Sequence, residues 1–99
     1  MIIVMGSIRM GDGEIARLHA DMVTQMTATQ AEDGCELYVY SCDVADPNLL
    51  RIAERWRDRD ALAAHMKAPH VAAFGKILRA AKVESVDFQS FEASAGQPL

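Results

Sequence analysis

The sequence predicts an α+β, ferredoxin-like fold, β-α-β-β-α-α-β, with a four-stranded antiparallel sheet. Two observations carry it. Segments with period-two alternation bracket segments with helical periodicity, in that order. The turn residues Gly, Pro, Asp and Asn fall at the joins between them.

Residues 2–10 read as the first strand, with Ile2, Val4, Gly6, Ile8 and Met10 in one alternating row. Gly11-Asp12-Gly13 is a turn, and Asp12 is placed to cap a helix. From Glu14 to about Glu32 the row Ile15, Leu18, Met22, Met26, Thr29 marks one helix. Asp33-Gly34 ends it, Gly34 suiting a left-handed cap. Cys35–Val44 is a second strand, with Leu37, Val39 and Ser41 on one face and Tyr38, Tyr40 and Cys42 on the other. Asp46-Pro47-Asn48 is a turn by composition, and Leu49–Trp56 closes an antiparallel hairpin.

Arg57–Met66 reads as a short helix capped by Asp58 or Asp60. Pro69 opens another over about 70–81, with Val71, Phe74, Ile77, Leu78 and Ala81 as its stripe. Val83–Phe91 alternates as the last strand. The domain therefore spans 1–91, and 92–99 is a loose tail.

With 99 residues, the chain buries only roughly two-thirds of its surface alone. Helices cover one sheet face, yet Leu37 and Val39 oppose Tyr38 and Tyr40, so both faces are apolar and both need cover. A homodimer with sheets packed face to face is expected.

Fourteen acidic against 10 basic residues, net −4, argue against a nucleic-acid or anionic-membrane surface. An RNA-binding sheet of this fold also needs stacking aromatics on the first strand, which has none. No apolar run approaches the ~20 residues of a membrane span. The start MIIVMGSIRM lacks the basic region and small-residue cleavage site of a signal peptide, and a cytoplasmic location is expected. Cys35 and Cys42 lie seven residues apart, on opposite faces of one strand and roughly 23 Å apart, too far for a disulfide or a shared metal.

The chemistry-bearing residues concentrate in ERWRDRDALAAHMKAPHVAAF, 54–74. Glu54 and Trp56 share a strand face, so Trp56 is either a core anchor or a pocket wall, and Glu54 either a structural acid or the group that orients His65. His65 and His70 are separated by a helix break, which predicts no shared face and no metal pair; a two-His pair would use i, i+4 on one helix. His19 lies off the stripe and is expected in solvent. Arg51, Arg55, Arg57 and Arg59 alternate with acids as a solvated, ion-paired face. From these residues alone the expectation is a dimeric ferredoxin-like domain with an aromatic, His-lined pocket between sheet and helices.

Glu54, Trp56, Asp58, Ala61, Leu62, His65, Pro69, His70 and Phe74 together resemble the signature of the antibiotic biosynthesis monooxygenase family, in its quinol-monooxygenase-like subgroup of dimeric α/β barrels. Asp33-Gly34-Cys35 resembles that family's join after helix one. The resemblance implies oxidation of a small phenolic or quinol-type substrate by O2 with no cofactor and no metal. It implies that His65, Trp56 and Glu54 are catalytic: His65 moves a proton, Trp56 lines the ligand plane and Glu54 orients His65. His70, Phe74, Tyr38, Tyr40 and Phe88 would complete the substrate wall. Where a haem-degrading branch carries an axial His, this chain reads Phe74-Gly75-Lys76, so haem chemistry is not implied. The alternative is a non-catalytic small-aromatic-ligand binder or stress-associated dimer on the same barrel.

Overall fold

The computed structural model describes residues 1–99. Its elements are β1 (Ile2–Met10), α1 (Glu14–Arg17), α2 (His19–Gln30), β2 (Cys35–Asp43), β3 (Asp46–Trp56), α3 (Arg59–Met66), α4 (Pro69–Ala80) and β4 (Val83–Glu92). The strands form one antiparallel sheet in the order β2-β3-β1-β4. The ferredoxin-like α+β fold is thus as the sequence predicts.

Register decides which side chains meet the helices. Val4 opposes Glu54, Gly6 opposes Ile52 and Phe88, and Ile8 opposes Leu50 and Val86. Tyr38 opposes Glu54, and Tyr40 opposes Ile52. Because directly opposed residues share a face, these rows all lie on the helix side. Two cores result. Ile8, Met10, Leu18, Met22, Leu50, Ile52 and Phe74 form one, and Ile2, Val4, Tyr38, Trp56 and Ala61 the other. Full burial of a large apolar side chain contributes about 1.5–3 kcal/mol. The opposite face has no such cover: Met5 is 64 % exposed, Phe91 47 % and Leu37 39 %.

Several local expectations change. The first helix bends at Leu18, whose φ of −95° and ψ of 11° end α1 and start α2. The ladder still runs through the bend, from Leu18 N–H to Glu14 and from Met22 N–H to Leu18. Asp12 does not cap α1. Gly13 holds that position at φ 78°, and the Asp12 carboxylate accepts a bond from the Asn48 amide instead. Asp46-Pro47-Asn48 belongs to β3, because Asp43 pairs with Asp46 and the turn contracts onto Val44 and Ala45. Residues 47–49 have no partner on β2, so Pro47 interrupts no bond there.

A register shift between Cys35 and Leu37 places Cys35 opposite Trp56 while Cys42 opposes Leu50. Both thiols therefore fall on the helix side, not on opposite faces, and both are free. Gly34 is left-handed at φ 81° but does not cap the helix: α2 ends at Gln30 with Ala31 in the cap position, and Gly34 turns the chain into β2 instead. Asp58 caps α3 by accepting the Ala61 N–H at 2.8 Å. His19 is exposed. Arg51, Arg55, Arg57 and Arg59 pair on the surface with Asp43, Glu36, Asp33 and Glu92. Exposed pairs of this kind contribute at most about 1 kcal/mol each.

Candidate functional site

Between the helices and the helix side of the sheet lies a cavity of about 510 Å³. The helices do not reach over β4, which leaves Val86 and Phe88 exposed to it although they share the buried rows of β1. Gly6 seats Phe88: a Cβ on Gly6 would stand 2.5 Å from the ring. Tyr38, Tyr40, Glu54, His65, Phe74 and Phe88, six residues expected at the site, all line the cavity.

The other two do not. Trp56 is wholly buried and takes no part in the cavity wall, so it does not line a ligand plane. It packs behind His65, ring centroids 4.8 Å apart, and donates its indole N–H to Glu54 at 2.9 Å. Tyr38 closes the same aromatic cluster, 5.4 Å from the His65 ring and edge-on to Trp56. His70 lies outside the cavity, in a second cleft of about 390 Å³ with Glu32, Asp33, Arg57 and Asp60.

His65 is oriented by Glu32, not by Glu54. A Glu32 carboxylate oxygen stands 3.0 Å from His65 Nδ1. The same carboxylate reaches His70 Nε2 at 2.8 Å, and Thr29 Oγ1 lies 3.2 Å from that nitrogen. The two histidines therefore converge, ring centroids 6.1 Å apart, where the helix break predicts that they diverge. The chain turns at Ala68, whose φ of −69° and ψ of 142° start α4 at a corner and swing His70 back beside His65. Glu32 itself is pinned in a turn, its N–H bonded to Thr29 and its carbonyl to Cys35.

Electrostatics separate the polar groups by role. Burial pushes the Glu54 carboxyl above the ordinary carboxylate range, offset by the Trp56 bond and by His65. Burial also raises the Tyr38 and Tyr40 phenols, so both stay protonated at neutral pH. Their hydroxyls share a bond of 2.8 Å. Gln25 Nε2 donates to Tyr38 at 3.4 Å, while the buried Gln25 Oε1 has no partner. Gln25 lines the cavity, but this oxygen is itself sealed from solvent, so it is an orphan acceptor behind the wall and not on it.

Gln25 and Glu32 are the residues that sequence reasoning passes over, and Thr29 enters it only as the end of the helical row. The buried row on α2 is Met22, Gln25, Thr29, so Gln25 joins the inward face beside Met26, which is partly buried against the core of Tyr38 and Trp56. The i, i+3, i+7 spacing of these three residues is the signal that finds Gln25. Glu32 carries no such signal, because its partners come from two other helices.

The sequence profile of the antibiotic biosynthesis monooxygenase family matches residues 1–76. No curated protein matches the chain. Among solved structures, a provisionally assigned antibiotic biosynthesis monooxygenase from Deinococcus radiodurans is 28% identical, with a TM-score of 0.93 over 100% of this chain and 98% of its own. A Pseudomonas aeruginosa protein is 24% identical, TM-score 0.83, over 95% and 94% of the two chains. A Mycobacterium tuberculosis protein is 23% identical, TM-score 0.85, over 98% of each, and these last two show the fold alone. The profile covers most of the chain and includes every element from β1 to the middle of α4, and the chain belongs to the antibiotic biosynthesis monooxygenase family.

Proposed function

We propose that this protein is a cofactor-independent monooxygenase that oxidises a small phenolic or quinol-type substrate with O2. One observation carries the reading: an apolar cavity of about 510 Å³ whose wall contains His65, with its Nδ1 already held by Glu32. With Nδ1–H donated to the carboxylate, Nε2 is the nitrogen left to take a proton from a bound phenol. A phenolate is electron-rich enough to pass an electron to O2 directly. Recombination of the ring radical with superoxide, followed by loss of water, turns a quinol and O2 into a hydroxyquinone and H2O. The substrate supplies all four electrons, so no external reductant enters the balance.

The remaining wall fits that chemistry. Phe74, Phe88, Tyr38 and Tyr40 hold a flat ring and exclude water. Trp56 acts from behind, packed on His65 and donating its indole N–H to Glu54 in the cavity wall. We place the protein in the cytoplasm, where its two free thiols stay reduced. No helix is long and apolar enough to cross a membrane.

The working unit in this reading is a homodimer joined through the outer sheet faces. Ile3, Met5, Leu37, Val39, Ala53 and Phe91 share that face by register, and only 17 of 99 residues are buried in one chain. Such a face needs a cover, and a second copy supplies one of the same shape.

The deciding experiment is oxygen uptake by purified, metal-free protein over a panel of reduced quinones and polyphenols. Uptake above autoxidation, with a hydroxylated quinone as product, supports the reading. Tight binding of an aromatic ligand with no uptake would assign the cavity to binding instead.

A further inference from the structure

We propose that Glu32, His65 and His70 form a binding site for a divalent cation of the zinc type. The three donors come from three separate places, the turn after α2, α3 and α4. Their ligand atoms nevertheless all lie within 4.8 Å of one another. His65 Nδ1 and His70 Nε2 stand 3.0 and 2.8 Å from Glu32 oxygens. A tetrahedral zinc with bonds of about 2.0–2.2 Å needs donors separated by about 3.5 Å, so small outward shifts make room.

Donor chemistry and surroundings agree with this. Two imidazoles and one carboxylate are a known three-ligand set for zinc, with the fourth position left for water. His65 is nearly buried and packed between Tyr38 and Trp56, so its ring is held before any ion arrives. Glu32 is fixed through its own backbone bonds on both sides. An entry path exists too: Glu32 and His70 open onto the second cleft, whose wall carries Asp33 and Asp60. Asp33 is paired with Arg57 in the same wall, so Asp60 is the carboxylate left to draw a cation toward the opening.

Occupancy changes what His65 offers the cavity. A cation on Nδ1 displaces its proton, so the neutral ring keeps its hydrogen on Nε2 and becomes a donor there. Resting on the proton-acceptor reading above, the cation then switches oxidation off.

The test is calorimetric titration of chelator-treated full-length protein with ZnCl2, together with the visible spectrum on adding CoCl2. One ion per chain is expected, with cobalt d–d bands and no thiolate charge-transfer band. His70→Ala and Glu32→Gln should each weaken binding roughly tenfold or more, while His19→Ala, at an exposed histidine, binds as the unmodified chain does. Circular dichroism establishes that each variant is folded. Absence of stoichiometric binding, a thiolate band from Cys35 or Cys42, or equal affinity in His70→Ala and Glu32→Gln overturns the site. Zinc binding that leaves oxygen uptake unchanged supports the cation site and overturns only the proton role of His65.

Discussion

Glu32 Oε2 lies 3.0 Å from His65 Nδ1, across 33 residues of sequence. A carboxylate at that nitrogen selects one tautomer of the ring and stabilises the imidazolium that forms when Nε2 takes a proton. His65→Ala should therefore lower kcat by roughly 10²–10⁴-fold, the range for loss of a general base. Glu32→Gln should lower kcat less and leave KM near its starting value. Steady-state kinetics on metal-free protein check both, and an unchanged kcat in Glu32→Gln would remove Glu32 from the mechanism.

Gln25 predicts a gain in stability on substitution. Its Oε1 is buried without a partner, which costs about 1–3 kcal/mol of desolvation. Gln25→Leu removes that orphan and gives up only a long bond to Tyr38 of 3.4 Å. Thermal melting should show equal or higher stability, and a lower melting temperature in Gln25→Leu would refute the reading of Oε1 as an uncompensated acceptor.

Glu54 gives a pH signature. Its folded-state pKa is raised by burial above the ordinary 4.5, so the folded chain holds this proton more tightly than the unfolded chain. The stability it contributes is present below 4.5 and is lost as pH rises from there through the raised folded value. Glu54→Gln keeps an acceptor for the Trp56 N–H and carries no charge. Its stability relative to the unmodified chain should therefore improve as pH climbs through that window. Glu14 slopes the other way: Arg17 lowers its carboxyl to about 2, so its contribution is lost as pH falls from 4.5 toward that value. Chemical denaturation of both proteins across pH 4 to 8, compared as a difference, isolates Glu54.

The outer face predicts assembly. Met5 and Phe91 are large, apolar and 64 % and 47 % exposed in one chain. Sedimentation at micromolar concentration should find a dimer, and Met5→Glu should shift it to monomer with secondary structure intact. A monomer in the unmodified protein would refute the sheet-to-sheet dimer.

Gly6 sets the position of Phe88. Gly6→Ala places a methyl 2.5 Å from the ring, which must move; Phe88 is 44 % exposed, so it can do so at little cost in stability. The measurable effect should be a changed preference among substrates of different ring size, read as kcat/KM ratios.

The family resemblance implied Tyr38, Tyr40, Glu54, His65, Phe74 and Phe88 as site residues; by itself the sequence determined the order of strands and helices, the shared face of Glu54 and Trp56, and the left-handed turn at Gly34. These are consequences of period and turn chemistry, which act over a few residues and are written locally. Only the tertiary structure decided the partners. The corner at Ala68 brings His70 to His65, and the end of α2 delivers Glu32 to both. The bulge after Cys35 reverses that thiol's face, and the packing of α3 seals Trp56 behind His65 instead of beside a ligand. Each depends on a backbone corner or register shift, so an error of one residue in sequence moves a side chain to the opposite side.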